Sequence, residues 1–498
     1  MKIQIDSPIN KYYVQTLCMI FFPGEKFSGD EDDAESPCLY LKTTQDDLGI
    51  ISYAKLIYQG REVSAERRSD FSPNRTKERT LKLSVGAAVL ACGAEIMSYR
   101  PAWGMLVGVR PSKVATEMLN AGISKTKVKK ILTSDYLVIP KKAALAIDVA
   151  LNEKRITGNP NTKDCSMYIS IPFCPSRCTY CSFVSYTSAR LLSLIPSYLE
   201  RLLKDIETNF RIINDLGLNL KTIYIGGGTP TILDAEQLEC LLAKISSLTD
   251  VSKLEEFTLE SGRPDTITAE KLAVAEEYGV NRICVNPQTL SDDILCGIGR
   301  NHSVEEFYKA FELARNTNIR TVNVDIIAGL PGDNFKIFSS TFDNILRLQP
   351  ENITVHTLCI KKSSDFKKMC ANPYDAIGID TGKCVDYSQI KTQQNEYIPY
   401  YMYRQKNAMG NYENVGFSKP EHEGLYNIYM MEELHSIFSA GAGAVTKLVD
   451  NSMDASKLSS KKIERLFNQK YPYEYLSEDK SEDFYKSAIN FYNEHNII

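Results

Sequence analysis

Between about residue 165 and residue 365 the chain repeats one pattern six times. A short β-branched run is followed by a stretch with helical spacing. The runs are MYISIPF, KTIYIGG, EEFTLES, NRICVNPQ, RTVNVDIIAGL and NITVHTL. After the first, Leu191, Ile195, Tyr198, Leu199, Leu202, Leu203, Ile206 and Phe210 keep i, i+3, i+4 spacing, with Ser193 and Pro196 read as cap and first-turn proline. Repeated βα units of this length predict an α/β fold with a parallel sheet. Six units are too few for a closed eight-stranded barrel, so the spacing predicts a partial, TIM-like (β/α)6 barrel. Its chemistry then belongs at the C-terminal ends of the strands.

On either side of this region the pattern changes, and three domains are expected. Residues 1–160 read as an N-terminal α+β accessory domain, opening on a strand-like segment from Met1 to Phe22 and becoming helical from Leu81. The acidic run Asp30–Asp33 reads as a solvated loop, and Thr157 to Asp164 as a linker. Residues 161–365 are the barrel. Residues 366–498 are tyrosine-rich; their strands are hard to place, their end looks helical, and they are expected to form a mostly helical cap that covers the substrate.

Composition narrows the function. A net charge of -4 argues against a nucleic-acid partner. No run of about 18 apolar residues is visible, so no membrane span is expected, and no signal peptide is read. Thirteen cysteines is an odd number for a disulfide scaffold, and a reducing cytoplasm fits best.

The first βα loop carries CPSRCTYC, a C-x3-C-x2-C spacing of Cys174, Cys178 and Cys181. A 4Fe-4S cubane takes one ligand per iron, so three cysteines leave one iron open. An open iron can chelate the amino and carboxylate groups of S-adenosylmethionine (SAM). A structural zinc site needs four ligands, and no second pair is present. A bacterial ferredoxin spaces its cysteines differently. The second strand ends in Gly226-Gly227-Gly228-Thr229-Pro230, which is neither a dinucleotide fingerprint nor a phosphate loop. Its glycines let backbone approach a ligand closely. Glu260, Gln288, Arg300 and Asp325 recur at or near successive strand ends, where burial demands partners. Each alone reads as a salt bridge or cap; together they read as a ligand site.

These motifs, with VDIIAGLPGD around Asp325, resemble the oxygen-independent coproporphyrinogen III oxidase branch of the radical SAM superfamily. WGMLVGVRPSKV (103–114) and the segment 400–433 resemble its HemZ-type members in particular. The resemblance implies Cys174, Cys178 and Cys181 as cluster ligands. It implies Tyr168, Gly227, Gly228, Thr229, Glu260, Gln288, Arg300 and Asp325 as contacts to one or two SAM molecules. The implied reaction is oxidative decarboxylation: a deoxyadenosyl radical takes hydrogen from a propionate β-carbon, and carbon dioxide and an electron leave a vinyl group. Coproporphyrinogen III would become protoporphyrinogen IX in anaerobic haem biosynthesis. A flavodoxin or ferredoxin is the expected reductant, and Arg404, Lys406 and Arg110 are candidate carboxylate binders.

One residue departs from the oxidases, which carry a fourth cysteine two positions after the third. Here Phe183 stands there, as in the haem-trafficking relatives and in the HemZ type. A haem-binding or haem-delivery protein is therefore the alternative, with His302, His356 or His435 as haem ligands; another porphyrin-modifying radical reaction is a further one.

Overall fold

The computed structural model describes the chain except residues 28–35, 74, 109, 159–160, 182, 184, 361–377, 451–461 and 496–498. The acidic run and part of the 157–164 segment lie outside the described residues. The chain forms two compact units.

The first unit is built from the described residues of 1–151, 374–382 and 402–413. Four strands lie in sequence order: β1 (Lys2–Asp6), β2 (Cys38–Gln45), β3 (Gly49–Tyr58) and β4 (Arg61–Asp70). β1 runs parallel to β2, and the other pairs are antiparallel. The segment Lys11–Phe21 is a helix, which corrects its reading as strand. The Asn10 side chain caps it, and Val14, Leu17, Cys18 and Phe21 bury one face at helical spacing. Local alternation of polar and apolar residues is the weaker signal once a cap fixes the start.

Helix Lys77–Met97 covers the sheet. It is long and apolar enough to cross a membrane by composition, although the sequence suggested no such stretch. Yet 67% of that window is buried in the unit. Gly86 and Gly93, seven residues apart, admit Met105 and the Phe21 ring at distances that exclude a Cβ.

The second unit holds one sheet of eleven strands. Its centre is β5 (Asp164–Ile171), β6 (Asn219–Gly227), β7 (Glu256–Leu259), β8 (Arg282–Cys284), β9 (Thr321–Ala328) and β10 (Asn352–Thr357). Consecutive strands are neighbours and parallel throughout. These are the six sequence runs, wound as an open, partial barrel. Ile169, Ile223, Ile225, Leu259, Ile283 and Val324 are fully buried, each contributing about 1.5–3 kcal/mol relative to exposure.

Ser193 is the C-cap of a short helix, Ala189–Leu192, not the N-cap of the next. That cap is Leu194, and Pro196 does lie in the first turn of helix Ile195–Asp215.

The C-terminal region carries helices, ending in Pro472–Ser477 and Ser481–Glu494, and also extends the sheet at both edges. β11 (Ile398–Tyr403) and β12 (Asn414–Ser418) continue it beyond β10. β13 (Ser436–Ala440), β14 (Val445–Val449) and β15 (Ile463–Phe467) continue it beyond β5. β13 pairs parallel with β5, placing Ser439 beside Tyr168. The Tyr198 hydroxyl locks this junction, donating to Ser170 O and accepting from Ala442 N.

Candidate active site

The cysteine loop leaves the C-terminal end of β5 and is pinned by its backbone. Cys174 N donates to Tyr186 O at 3.1 Å, and Thr179 N to Ile298 O at 3.0 Å. Thr229 N donates to Phe173 O at 2.8 Å, so the glycine run clamps the loop from the next strand. Gly228 has to be glycine here: a Cβ would stand 2.5 Å from Phe173 O and 2.9 Å from Cys174 Sγ.

Cys174 and Cys178 are buried and Cys181 is half-buried. Burial pushes the Cys174 thiol up to about 11, with the Thr229 hydroxyl opposing and the other two cysteines adding to it. Burial raises Cys181 as well. The three thiols thus feel one another's charge. Among the described residues, no three His, Cys, Asp or Glu side chains are gathered for a single ion; a cubane instead distributes its thiolates over separate irons.

Two sulfurs already carry donors. The Thr229 hydroxyl lies 3.3 Å from Cys174 Sγ, and Arg263 Nη1 lies 3.9 Å from Cys178 Sγ. Such donors suit a thiolate better than a neutral thiol. Arg263 also holds Ser176 Oγ at 2.8 Å and pairs with Asp265 at 2.9 Å. Sequence reasoning missed it. The signal was available: a buried arginine three residues past Glu260, in the same strand-end loop.

Tyr168, Glu260 and Asp325 lie on or at the ends of β5, β7 and β9, and each is half-exposed beside fully buried neighbours. Tyr168 stacks with Tyr224 and Tyr426 at centroid distances of 6.1 Å to each. Glu260 packs against the glycine run, where a Cβ on Gly226 would meet its Oε2 at 2.7 Å. Burial, with the charge of Asp325, pushes Glu260 up to about 8, against the Tyr224 hydroxyl and the Gly227 N–H. At neutral pH it is largely a neutral acid.

Asp325 has the opposite character. Burial raises its pKa, but His356, Asn323 and Thr354 outweigh this and lower it. Asn286 and Asn323 donate to its two oxygens at 3.0 and 2.7 Å, and His356 Nε2 lies 3.5 Å away. Two nearby carboxyl groups therefore hold different protonation states.

Gln288 takes a left-handed backbone, φ +68°. Its N–H donates to Asp325 O, and its carbonyl accepts from Ile327 N. Its buried side-chain oxygen has no partner among the described residues. Strain and an unsatisfied acceptor at one strand end mark a ligand position.

Arg300 is buried against the cysteine loop rather than exposed at a helix end. It donates to Asn286 O at 2.6 Å, Gly262 O at 3.3 Å and the Tyr180 hydroxyl at 3.3 Å. Burial disfavours its charge, but Tyr180 and Cys178 raise its pKa overall.

Gly228 and Thr229 lie against the cysteine loop and Arg300 braces it, while Tyr168, Gly227, Glu260, Gln288 and Asp325 lie on or at the ends of the parallel strands of the same sheet. Buried thiols with donors aimed at them fit a cluster, and the orphaned Gln288 oxygen fits a polar ligand beside it. Of the candidate haem ligands, His356 is engaged by Asp325 and His435 bonds the Ser166 hydroxyl at 2.8 Å. His302 is buried, and neither ring nitrogen bonds any of the described residues. Arg404 lies in the first unit, as do Lys406, which bonds the Tyr12 hydroxyl, and Arg110.

A model of the radical SAM superfamily matches residues 168–345. The chain is 33% identical over 481 residues to the oxygen-independent coproporphyrinogen-III oxidase-like protein HemZ of Bacillus subtilis, covering 94% of each chain. It is also 33% identical over 283 residues to the heme chaperone HemW of the same organism, covering 56% of this chain and 70% of the other. Among solved structures, coproporphyrinogen III oxidase (HemN) from Escherichia coli superposes with a TM-score of 0.50 at 18% identity. It covers 67% of this chain and 72% of its own, a likeness of fold. The chain belongs to the radical SAM superfamily, whose 4Fe-4S cluster and SAM are its cofactors, and within it to the HemZ-type coproporphyrinogen oxidase-like proteins.

Proposed function

We propose that the chain oxidatively decarboxylates two propionates of coproporphyrinogen III, giving the vinyl groups of protoporphyrinogen IX. The observation that carries this reading is the 94% coverage of a HemZ relative, which takes in both flanking segments as well as the barrel. In this reading Cys174, Cys178 and Cys181 hold the cluster. The bound cofactors supply one-electron cleavage of the SAM sulfonium bond and, with it, the capacity to abstract hydrogen.

The chain's own residues shape that chemistry. Thr229 and Arg263 donate toward the Cys174 and Cys178 sulfurs and so draw electron density from them. The oxygen of Gln288 would accept a hydrogen bond from SAM, and Asp325 would offer it an anion fixed by Asn286 and Asn323. Neutral Glu260 can donate where Asp325 can only accept. The stacked Tyr168, Tyr224 and Tyr426 lay an aromatic surface beside Glu260. A small one-electron carrier, a flavodoxin or ferredoxin, is the proposed reductant, in a reducing cytoplasm.

Anaerobic incubation with reductant, SAM and coproporphyrinogen III tests the proposal. The expected products are 5'-deoxyadenosine, carbon dioxide and a vinyl porphyrinogen. A fully loaded cluster giving no vinyl product would overturn it. Haem handling is the second reading, favoured by one observation: Phe183, in the place of the oxidases' fourth cysteine, is 67% exposed beside the cysteine loop. A haem titration without a Soret shift removes it.

A further inference from the structure

The two segments outside the barrel that mark the HemZ type meet within the first unit. Residues 103–108 and 404–413, some 300 positions apart, form one buried polar cluster. Glu413 accepts from Lys142 at 2.6 Å and from Trp103 Nε1 at 2.7 Å, with the Lys142 and Glu413 side chains fully buried. Arg404 lies over the Trp103 ring, 5.9 Å from its centroid. Its Nη2 donates to Leu106 O and to Gly108 O, the latter at 3.0 Å.

Arg404 is only 2% exposed, yet its Nε and Nη1 have no acceptor among the described residues. Glu413 makes its ion pair with Lys142, and among the described residues no ion pair reaches Arg404. Fully buried arginines are rare unless an anion pairs with them. Burial also lowers the Arg404 pKa to about 10, against the pull of Glu413. Gly108 is exposed, and a Cβ built on it would meet nothing within 4 Å.

We propose that Arg404, roofed by the 103–108 loop, is a binding site for an aliphatic carboxylate that enters beside Gly108. The ligand supplies the charge and acceptor atoms that Nε and Nη1 lack. Two sources share this chemistry: a propionate arm of a tetrapyrrole, or a free small carboxylate. The first source rests on the function proposed above; the site itself does not.

Trp103 is the chain's single tryptophan and reports directly on the cluster. The test uses the full chain with its cluster reconstituted, held without oxygen. Propionate is titrated against Trp103 emission, and a porphyrin tetracarboxylate and its methyl ester are titrated by calorimetry. The variants are R404Q and R404K, with circular dichroism confirming that each is folded.

In the tetrapyrrole case, R404Q weakens the tetracarboxylate at least ten-fold, R404K weakens it less, and the ester binds poorly to every form. In the small-carboxylate case, propionate shifts Trp103 emission in the native chain and not in R404Q, while porphyrin affinity is unchanged. Folded R404Q that matches the native chain in both titrations overturns the site. Failure of the decarboxylation reading shows elsewhere, as absence of vinyl product from the native chain, and leaves these binding results intact.

Discussion

Two polar interiors of this molecule follow different rules. At the strand ends of the second unit, Tyr168, Glu260, Asp325 and His356 are half-exposed on otherwise buried strands. Most of their partners come from the next strand in sequence order, the stacking of Tyr168 on Tyr426 being an exception. In the first unit, Lys142, Glu413 and Trp103 are fully enclosed, and their partners come from opposite ends of the chain. The first arrangement leaves polar atoms open toward a ligand, as the Gln288 oxygen shows. The second is mainly closed on itself, although among the described residues Arg404 and Asn411 remain short of acceptors. A ligand site built on parallel strand ends can be exchanged between chemistries, whereas a sealed ion pair holds a particular pair of segments together.

The largest separation of the two should come from Cys178→Ala. It removes a cluster ligand and is expected to abolish both iron loading and 5'-deoxyadenosine formation. Thermal stability of the cluster-free chain should hardly change. A variant that keeps a full complement of iron and cleaves SAM would break the assignment of the cysteine loop.

Lys142→Met should do the reverse. It leaves the buried Glu413 carboxylate without its cation, at a cost of about 3–5 kcal/mol. Urea unfolding of the first unit should shift accordingly, while assembly of the cluster in the second unit persists. A loss below about 1 kcal/mol would mean that the pair is not sealed as described.

How far each interior could be read from sequence follows the same division. The six barrel strands were legible because β-branched runs and helical spacing alternate locally. The positions of Glu260 and Asp325 followed from that register. Helix Lys11–Phe21 was misread because its alternating residues suggest a strand until Asn10 is recognised as its cap. The pairing of β13 with β5 was not legible, since nothing local in Ser436–Ala440 points to Cys165–Ile169. Nor was the meeting of Trp103, Lys142 and Glu413, which only the folded chain brings together. Arg263 was legible in principle, but it lies off the strand, and attention to strand-end residues passed it by.

A pH titration sharpens the contrast at intermediate size. Glu260 has a folded pKa of about 8, against 4.5 for an ordinary glutamate. Between these values the folded state holds a proton that the unfolded chain has released. Its contribution is therefore fully present below pH 4.5 and is lost as pH rises through 8. For a half-exposed group the loss amounts to about 3 kcal/mol. The cluster-free, SAM-free chain should melt at falling temperature from pH 5 to 8, and Glu260→Gln should flatten that slope. An unchanged slope would show that Glu260 is ionised in the folded chain.

The smallest expected effect belongs to Phe183, two residues past Cys181. It is 67% exposed, so Phe183→Ser should alter stability by no more than about 0.5 kcal/mol. A phenyl ring can neither carry a thiol's redox chemistry nor donate a proton, so the substitution should leave SAM cleavage intact. If the decarboxylase reading holds, vinyl product should also survive, because the ring was never part of the hydrogen or electron transfer. If the haem reading holds, the exposed ring is apolar contact surface, and its loss should weaken haem binding several-fold while SAM cleavage stays level. Measuring product formation and haem affinity on this one variant therefore separates the two readings, with the barrel site unchanged in both.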